Sequence, residues 1–242
     1  MKKWINPLSI IYIIGLVVSL PTLTWAHGYW LEVKGSGKVG ELAQIQLFYG
    51  EYSEHVREKG ARLDKMSEIK ISVIDAQGTK TEVQMQQTDT HWQGSFVPKI
   101  EGIYQILGIN ETREVQDWTK HNLGITRPVQ YLRTTYVVGN PSKTPLVPQN
   151  YLDITAQKLG NQILLEVYKD KQAFSKMQLK VINPDGWEKN RITNEKGKVA
   201  FIPAAKGLYL VELEWIDKTP GTFKGKDYES VRHRCDMTLV VE

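Results

Sequence analysis

One stretch of this chain occurs twice, and the repeat constrains its fold more than any other feature. Phe96-Val97-Pro98 followed by Gly102-Ile103-Tyr104 returns as Phe201-Ile202-Pro203 followed by Gly207-Leu208-Tyr209, at a constant offset of 105 residues. Upstream, Ile71-Ser72-Val73-Ile74 before a glycine-ended turn is matched by Leu179-Lys180-Val181-Ile182 before another. Each copy reads strand, turn, strand, a strand closed by proline, then glycine and a tyrosine-bearing strand. Proline closes a strand because it has no N–H to donate, and glycine opens one where backbones approach closely.

That order is typical of immunoglobulin-like and transthyretin-like sandwiches, so the expected fold is all-β, with two tandem β-sandwich domains. Strands are expected at Gln44–Tyr49, Ile69–Ile74, Ile103–Leu107, Gln162–Tyr168, Gln178–Ile182, Leu208–Trp215 and Met237–Val241. These runs alternate, or are rich in β-branched and aromatic residues. Turn signals separate them at Asp75–Gly78, Asn183–Gly186 and Asn194–Gly197. Helical periodicity is weak, with Glu54–Met66 the best candidate. Glu111–Tyr131 reads as a long, polar, irregular loop carrying Trp118 and His121. The sandwiches are expected over 27–140 and 150–242. A proline-rich linker, 141–149, joins them, and Pro141, Pro145 and Pro148 make it a semi-rigid spacer.

The first 26 residues read as a secretion signal. Lys2 and Lys3 form the positive n-region, Leu8–Leu20 the apolar h-region, and Thr24-Trp25-Ala26 the cleavage site. The h-region is too short for a transmembrane helix, and no later apolar stretch approaches spanning length, so a soluble mature chain is expected. Cys235 is the one cysteine and cannot form an internal disulfide. An exported chain without disulfides fits a bacterial periplasm. The two lysines leave with the signal, so the formal charge of +4 falls to +2. Short positive runs without interleaved aromatics exclude nucleic acid as a partner.

Cutting after Ala26 leaves His27 as the first mature residue. An N-terminal histidine offers a metal two nitrogens, the α-amine and the ring Nδ1, which close a six-membered chelate ring. The α-amine has an ordinary pKa of about 8, so freeing its lone pair near neutral pH costs little. Amine and imidazole nitrogens suit copper, nickel and zinc.

His27-Gly28-Tyr29-Trp30-Leu31-Glu32, then Phe48-Tyr49-Gly50-Glu51, the turn Thr193-Asn194-Glu195-Lys196-Gly197 and the histidine of the last strand together resemble the DUF4198 family. The resemblance runs along nearly the whole mature chain, on short motifs. It implies an exported bacterial protein connected with nickel or cobalt uptake, with a transthyretin-like second half. It also points to His233 as a second ligand. Many relatives carry histidine after the Tyr-Gly pair, where this chain has Glu51. That moves a third ligand to His55, or removes it.

The candidate metal ligands are therefore His27, His233, His55, His121 and Glu51. Against His233 stand its neighbours Arg232 and Arg234, because cations beside a metal are unfavourable. His55 and Glu51 share a polar loop, and His91 is expected to pack. Cys235 alternates with Met237 and Leu239, as a core residue does. There is no Gly-x-Ser-x-Gly elbow, phosphate-cradling loop or HExxH motif. The expected function is a periplasmic accessory protein that captures nickel, cobalt or copper for a membrane metal transporter, without turnover of a substrate. Two alternatives remain: a copper monooxygenase-like redox enzyme with an N-terminal histidine, and a structural or adhesive sandwich module. Sequence alone gives no oligomeric state.

Overall fold

The structure, a computed structural model, describes residues 27–141 and 146–242. The expected signal peptide and part of the expected linker lie outside the described residues. The first half forms β1 (Gly28–Lys34), β2 (Ala43–Glu51), β3 (Val56–Arg57), β4 (Lys70–Ile74), β5 (Lys80–Val83), β6 (Gln86–Gln87), β7 (Trp92–Phe96), β8 (Gly102–Asn110), β9 (Gln116–Trp118) and β10 (Gly124–Val138). The second half forms β11 (Leu152–Leu159), β12 (Gln162–Lys169), β13 (Gln172–Ala173), β14 (Gln178–Ile182), β15 (Glu188–Ile192), β16 (Lys198–Phe201), β17 (Gly207–Asp217), β18 (Gly221–Phe223), β19 (Lys226–Tyr228) and β20 (Ser230–Val241). The protein is all-β and sandwich-like. Of the helix candidate Glu54–Met66, only Gly60–Met66 winds, as a 3₁₀ segment.

The largest sheet runs β5-β4-β8-β10-β20-β17-β14-β15, with β9 beside β10. Its order is a palindrome about the β10–β20 join. The two halves meet there in a parallel ladder from Thr126 opposite Ser230 to Arg133 opposite Met237. Above the first half lies a five-stranded sheet, β1-β2-β7-β6 with β3. The second half carries a four-stranded sheet of β11, β12, β13 and β16.

Alternation along β10 shows how the halves share the join. Leu132, Tyr136 and Val138 point into the first core, with Leu31, Ile45 and Ile106. Val129 and Tyr131 point into the second, with Leu165, Cys235 and Met237. Successive strand side chains face opposite ways, so the two covering sheets lie on opposite faces of the nine-stranded sheet. A third cluster closes the interface between the halves. Trp30 and Phe48, on the outer face of the five-stranded sheet, meet Ile182 and Leu210.

Here the expectation of a loop over Glu111–Tyr131 is corrected. Gln116–Trp118 is β9, and Gly124–Tyr131 is the first half of the long strand β10. A strand buried on both faces loses the polar–apolar alternation by which strands are read. This one also carries Arg127, Gln130 and Arg133, which mimic a loop composition.

The internal repeat is structural. The Tyr104 hydroxyl accepts hydrogen bonds from the Lys99 and Ile100 amides and donates to the Ile100 carbonyl at 2.9 Å. Tyr209 does the same with Ala204, Ala205 and the Ala205 carbonyl, again at 2.9 Å. Each is a tyrosine corner, which staples a strand start to the preceding connection. Ahead of each tyrosine, Gly102 (φ +151) packs on Ala76, and Gly207 (φ +131) leaves only 2.8 Å between a would-be Cβ and Pro184. The three expected turns also form. The carbonyls of Asp75, Asn183 and Asn194 each accept from the glycine amide three residues on.

A buried ion pair ties the linker to both halves. Arg133 on β10 donates to Asp153 on β11 at 2.6 Å, and both side chains are fully buried. Asp153 also accepts from the Gln149 and Asn150 amides, while Arg133 reaches Gln105 and the Val147 carbonyl. An unpaired charge at this depth would cost several kcal/mol, so these groups hold one arrangement.

Candidate functional site

His27 stands at the start of β1, where Gly28 pairs with Gly50 and Tyr29 with Tyr49 of β2. Gly28 is small for a reason: a Cβ there would lie 2.7 Å from the Arg234 guanidinium. The close approach lets β1 lie across β20 and sets where His27 emerges. The His27 ring stacks on Tyr49, with centroids 5.3 Å apart.

The Nε2–H of His27 donates to Glu58 Oε1 at 2.9 Å. Glu58 is positioned by its own amide, which donates to the Tyr49 carbonyl at 2.8 Å. Its carboxylate is gripped by Arg62 at 2.7 and 2.8 Å. Arg62, then His27, hold the Glu58 carboxyl below the usual range, so it is ionised and can only accept. The proton of the ring therefore sits on Nε2. In the neutral imidazole the lone pair is then on Nδ1, the nitrogen that closes a chelate with the α-amine. Lys65 completes the surround, lying 4.2 Å above the Tyr49 ring and donating to its hydroxyl.

The other candidates stand elsewhere. Glu51 accepts from the Ser53 hydroxyl at 3.0 Å. His55 is exposed in the following turn at φ +57. His121 is exposed and closes the 3₁₀ turn Thr119–His121. Among the described residues, no group of three or more His, Cys, Asp and Glu side chains gathers.

Whether His27 and His233 face each other is open from the sequence, and the alternation of β20 turns them to different sides. Arg234 faces Gly28, so its neighbour His233 faces the opposite side, into the second core. His233 is 7% exposed. Its ring stacks on Trp215 and Tyr131 at 5.2 and 5.9 Å and tilts against Tyr151. Its Nδ1 lies 3.1 Å from the Tyr131 hydroxyl. Burial pulls its pKa down to about 4, against an opposing pull from Asp217. His91 packs against Phe48 and Gln46, and Cys235 is buried as a core residue.

Glu58, which touches His27, does not stand out in the sequence. The signal it offered was local: a carboxylate four residues before Arg62, a common surface pairing. Only the register of β1 on β2 and the turn after β3 reveal that it reaches His27.

The sequence matches no protein-family model and no curated protein. Two are among the solved structures that resemble it distantly. The BSP domain of a biofilm associated protein is 13% identical, covers 89% of this chain and has a TM-score of 0.24. The chain spans 30% of that protein. Native alpha-2-macroglobulin from Escherichia coli, over domains NIE-MG1, is 8% identical and covers 90% of this chain and 98% of its own, with a TM-score of 0.23. At that level neither bears on function.

Proposed function

We propose that the protein is an exported, periplasmic metal-binding accessory protein that captures nickel, cobalt or copper through the mature N-terminal histidine. With the chain cut after Ala26, the α-amine and Nδ1 of His27 supply the two ligating nitrogens. The observation that carries the reading is the Nε2–H of His27 donating to Glu58. Metal-binding imidazoles commonly give their second ring N–H to a carboxylate, which fixes the tautomer and raises ligand basicity. Glu58 has that role, and Arg62 occupies its oxygens so that it orients rather than ligates.

The donor set fits a nitrogen-preferring ion. A metal held there would be polarised by two nitrogens, with its remaining positions open to water or to a recipient. Two nitrogens suit capture followed by release, as delivery to a membrane transporter requires. The copper monooxygenase alternative would call on His233 as its second imidazole, and His233 faces the other core. The resemblance to exported proteins connected with nickel and cobalt uptake supports the same class of function.

The test is a competitive titration with copper and nickel on the chain beginning at His27. Two controls accompany it: a chain retaining Leu23–Ala26 upstream, and His27→Ala. The reading expects tight binding that both controls lose. Equal, weak binding in all three would return the protein to the structural class.

A further inference from the structure

The first half serves as a template for the second, and they differ along one edge. On β5, Thr81 pairs with Val73 and Val83 with Ile71. At the matching places on β15 stand Lys189, opposite Val181, and Arg191, opposite Leu179. The inward positions of this edge strand have thus changed from threonine and valine to two cations. Among the described residues neither cation has an ion-pair partner; the neighbouring pairs use Lys180, with Glu188 and Glu212.

The crossing between sheets has changed as well. In the first half the chain leaves β5, packs Val83 and Met85 against the core, and pairs β6 with the outer edge of β7. From Ile71 to Tyr104 there are 33 positions, and from Leu179 to Tyr209 there are 30. The three lost residues remove the counterpart of β6. Consequently, among the described residues, β16 pairs with β12 alone and β15 with β14 alone. A cleft opens between these two unpaired edges, over Val181, Phe201 and Tyr209, with Lys189 and Arg191 on its wall. Trp187 and Ile202 rim it at 74% and 61% exposure.

The charges of β15 blunt its own edge, whereas β16 leaves an unpaired edge beside the exposed Trp187 and Ile202, and such an edge can take up another strand. We propose that this cleft binds an extended segment of a partner protein. The segment adds to β16 as β6 adds to β7, with inward side chains that include acidic ones facing Lys189 and Arg191. Main-chain pairing supplies the affinity, and the alternate side chains supply the choice of partner. The two inward cations favour an acidic strand and disfavour a basic one. The site is remote in sequence and sheet from His27, and it stands or falls separately from the metal reading.

The natural probe is the strand that closes the first half. A labelled peptide of residues 82–88, Glu-Val-Gln-Met-Gln-Gln-Thr, would be titrated by anisotropy against the full chain from His27. A second peptide would carry Met85→Glu and Gln87→Glu, at positions that face inward in the first half. Saturable binding is expected, tighter for the acidic peptide by about threefold or more, and weakened about tenfold or more by Lys189→Glu/Arg191→Glu. Amide exchange on the unaltered chain gives an independent reading, with slowing at Lys198–Phe201 when the acidic peptide is added. The proposal is overturned if neither peptide binds, if the charge-reversed chain binds as well as the original, or if exchange at β16 does not slow. Trp187-dependent binding of chitohexaose with no binding of either peptide would also overturn it, making the cleft a sugar platform.

Discussion

At the scale of single residues, two histidines of the same chain have opposite surroundings, and each yields a measurable consequence. His27 is held from one side by a carboxylate that leaves its Nδ1 free. Glu58→Gln keeps the shape of that contact and removes its charge, so copper or nickel affinity should drop about 10–100-fold while the thermal midpoint hardly changes. An unchanged affinity would separate Glu58 from the metal. His233 is neutral in the folded protein because burial lowers its pKa to about 4. The unfolded chain protonates near 6.5, so between pH 6.5 and 4 it binds more protons than the folded one. This contribution to stability is therefore complete above pH 6.5 and is lost as pH falls toward 4, about 3 kcal/mol in all. His233→Phe keeps the stacking on Tyr131 and Trp215. It should flatten that part of the stability–pH curve, as followed by urea denaturation; an unaltered acid slope would assign the loss to other groups.

At the scale of elements, the repeated devices carry the fold. Tyr209→Phe removes three hydrogen bonds at one corner while leaving the ring in place. It should cost about 1–3 kcal/mol, with a similar cost for Tyr104→Phe; a neutral result would make the corners incidental. Asp153→Ala strands the Arg133 guanidinium and should cost about 3–5 kcal/mol, measured by denaturant midpoint. A loss below 1 kcal/mol would show that water reaches the pair. Strands at this scale were legible where one face is buried. Gln178–Ile182 matches β14, and the turns at Asp75, Asn183 and Asn194 were legible from their glycines. β10 was not, because it serves both cores and carries Arg133 and Gln130 to buried partners far along the chain. The site was legible by half. His27 follows from the cleavage pattern. Glu58 depends on a strand register that no local pattern encodes, and the alternation of β20, which sends His233 away, becomes decisive only once β1 is known to cross it.

At the scale of the whole molecule, the halves are one sheet. Their cores lie on opposite faces of the β10–β20 join, so damage to one should be felt in the other. Leu132→Ala, in the first core, should cost about 2–5 kcal/mol and accelerate amide exchange in β12 and β14 of the second half as well as in β2 and β4. Faster exchange confined to the first half would mean that the halves unfold separately. The same architecture separates the two proposed sites. The metal reading uses the start of β1, and the peptide cleft lies at the outer edge formed by β15 and β16, so each can be altered without the other.

The central claim is that the free amine and Nδ1 of His27 hold the metal together, and the most direct measurement of it is electron paramagnetic resonance on the copper-loaded chain beginning at His27. Hyperfine coupling to two nitrogens is expected, with the amine's lost when Leu23–Ala26 are retained and the ring's lost in His27→Ala. A spectrum that is the same in all three chains would contradict it.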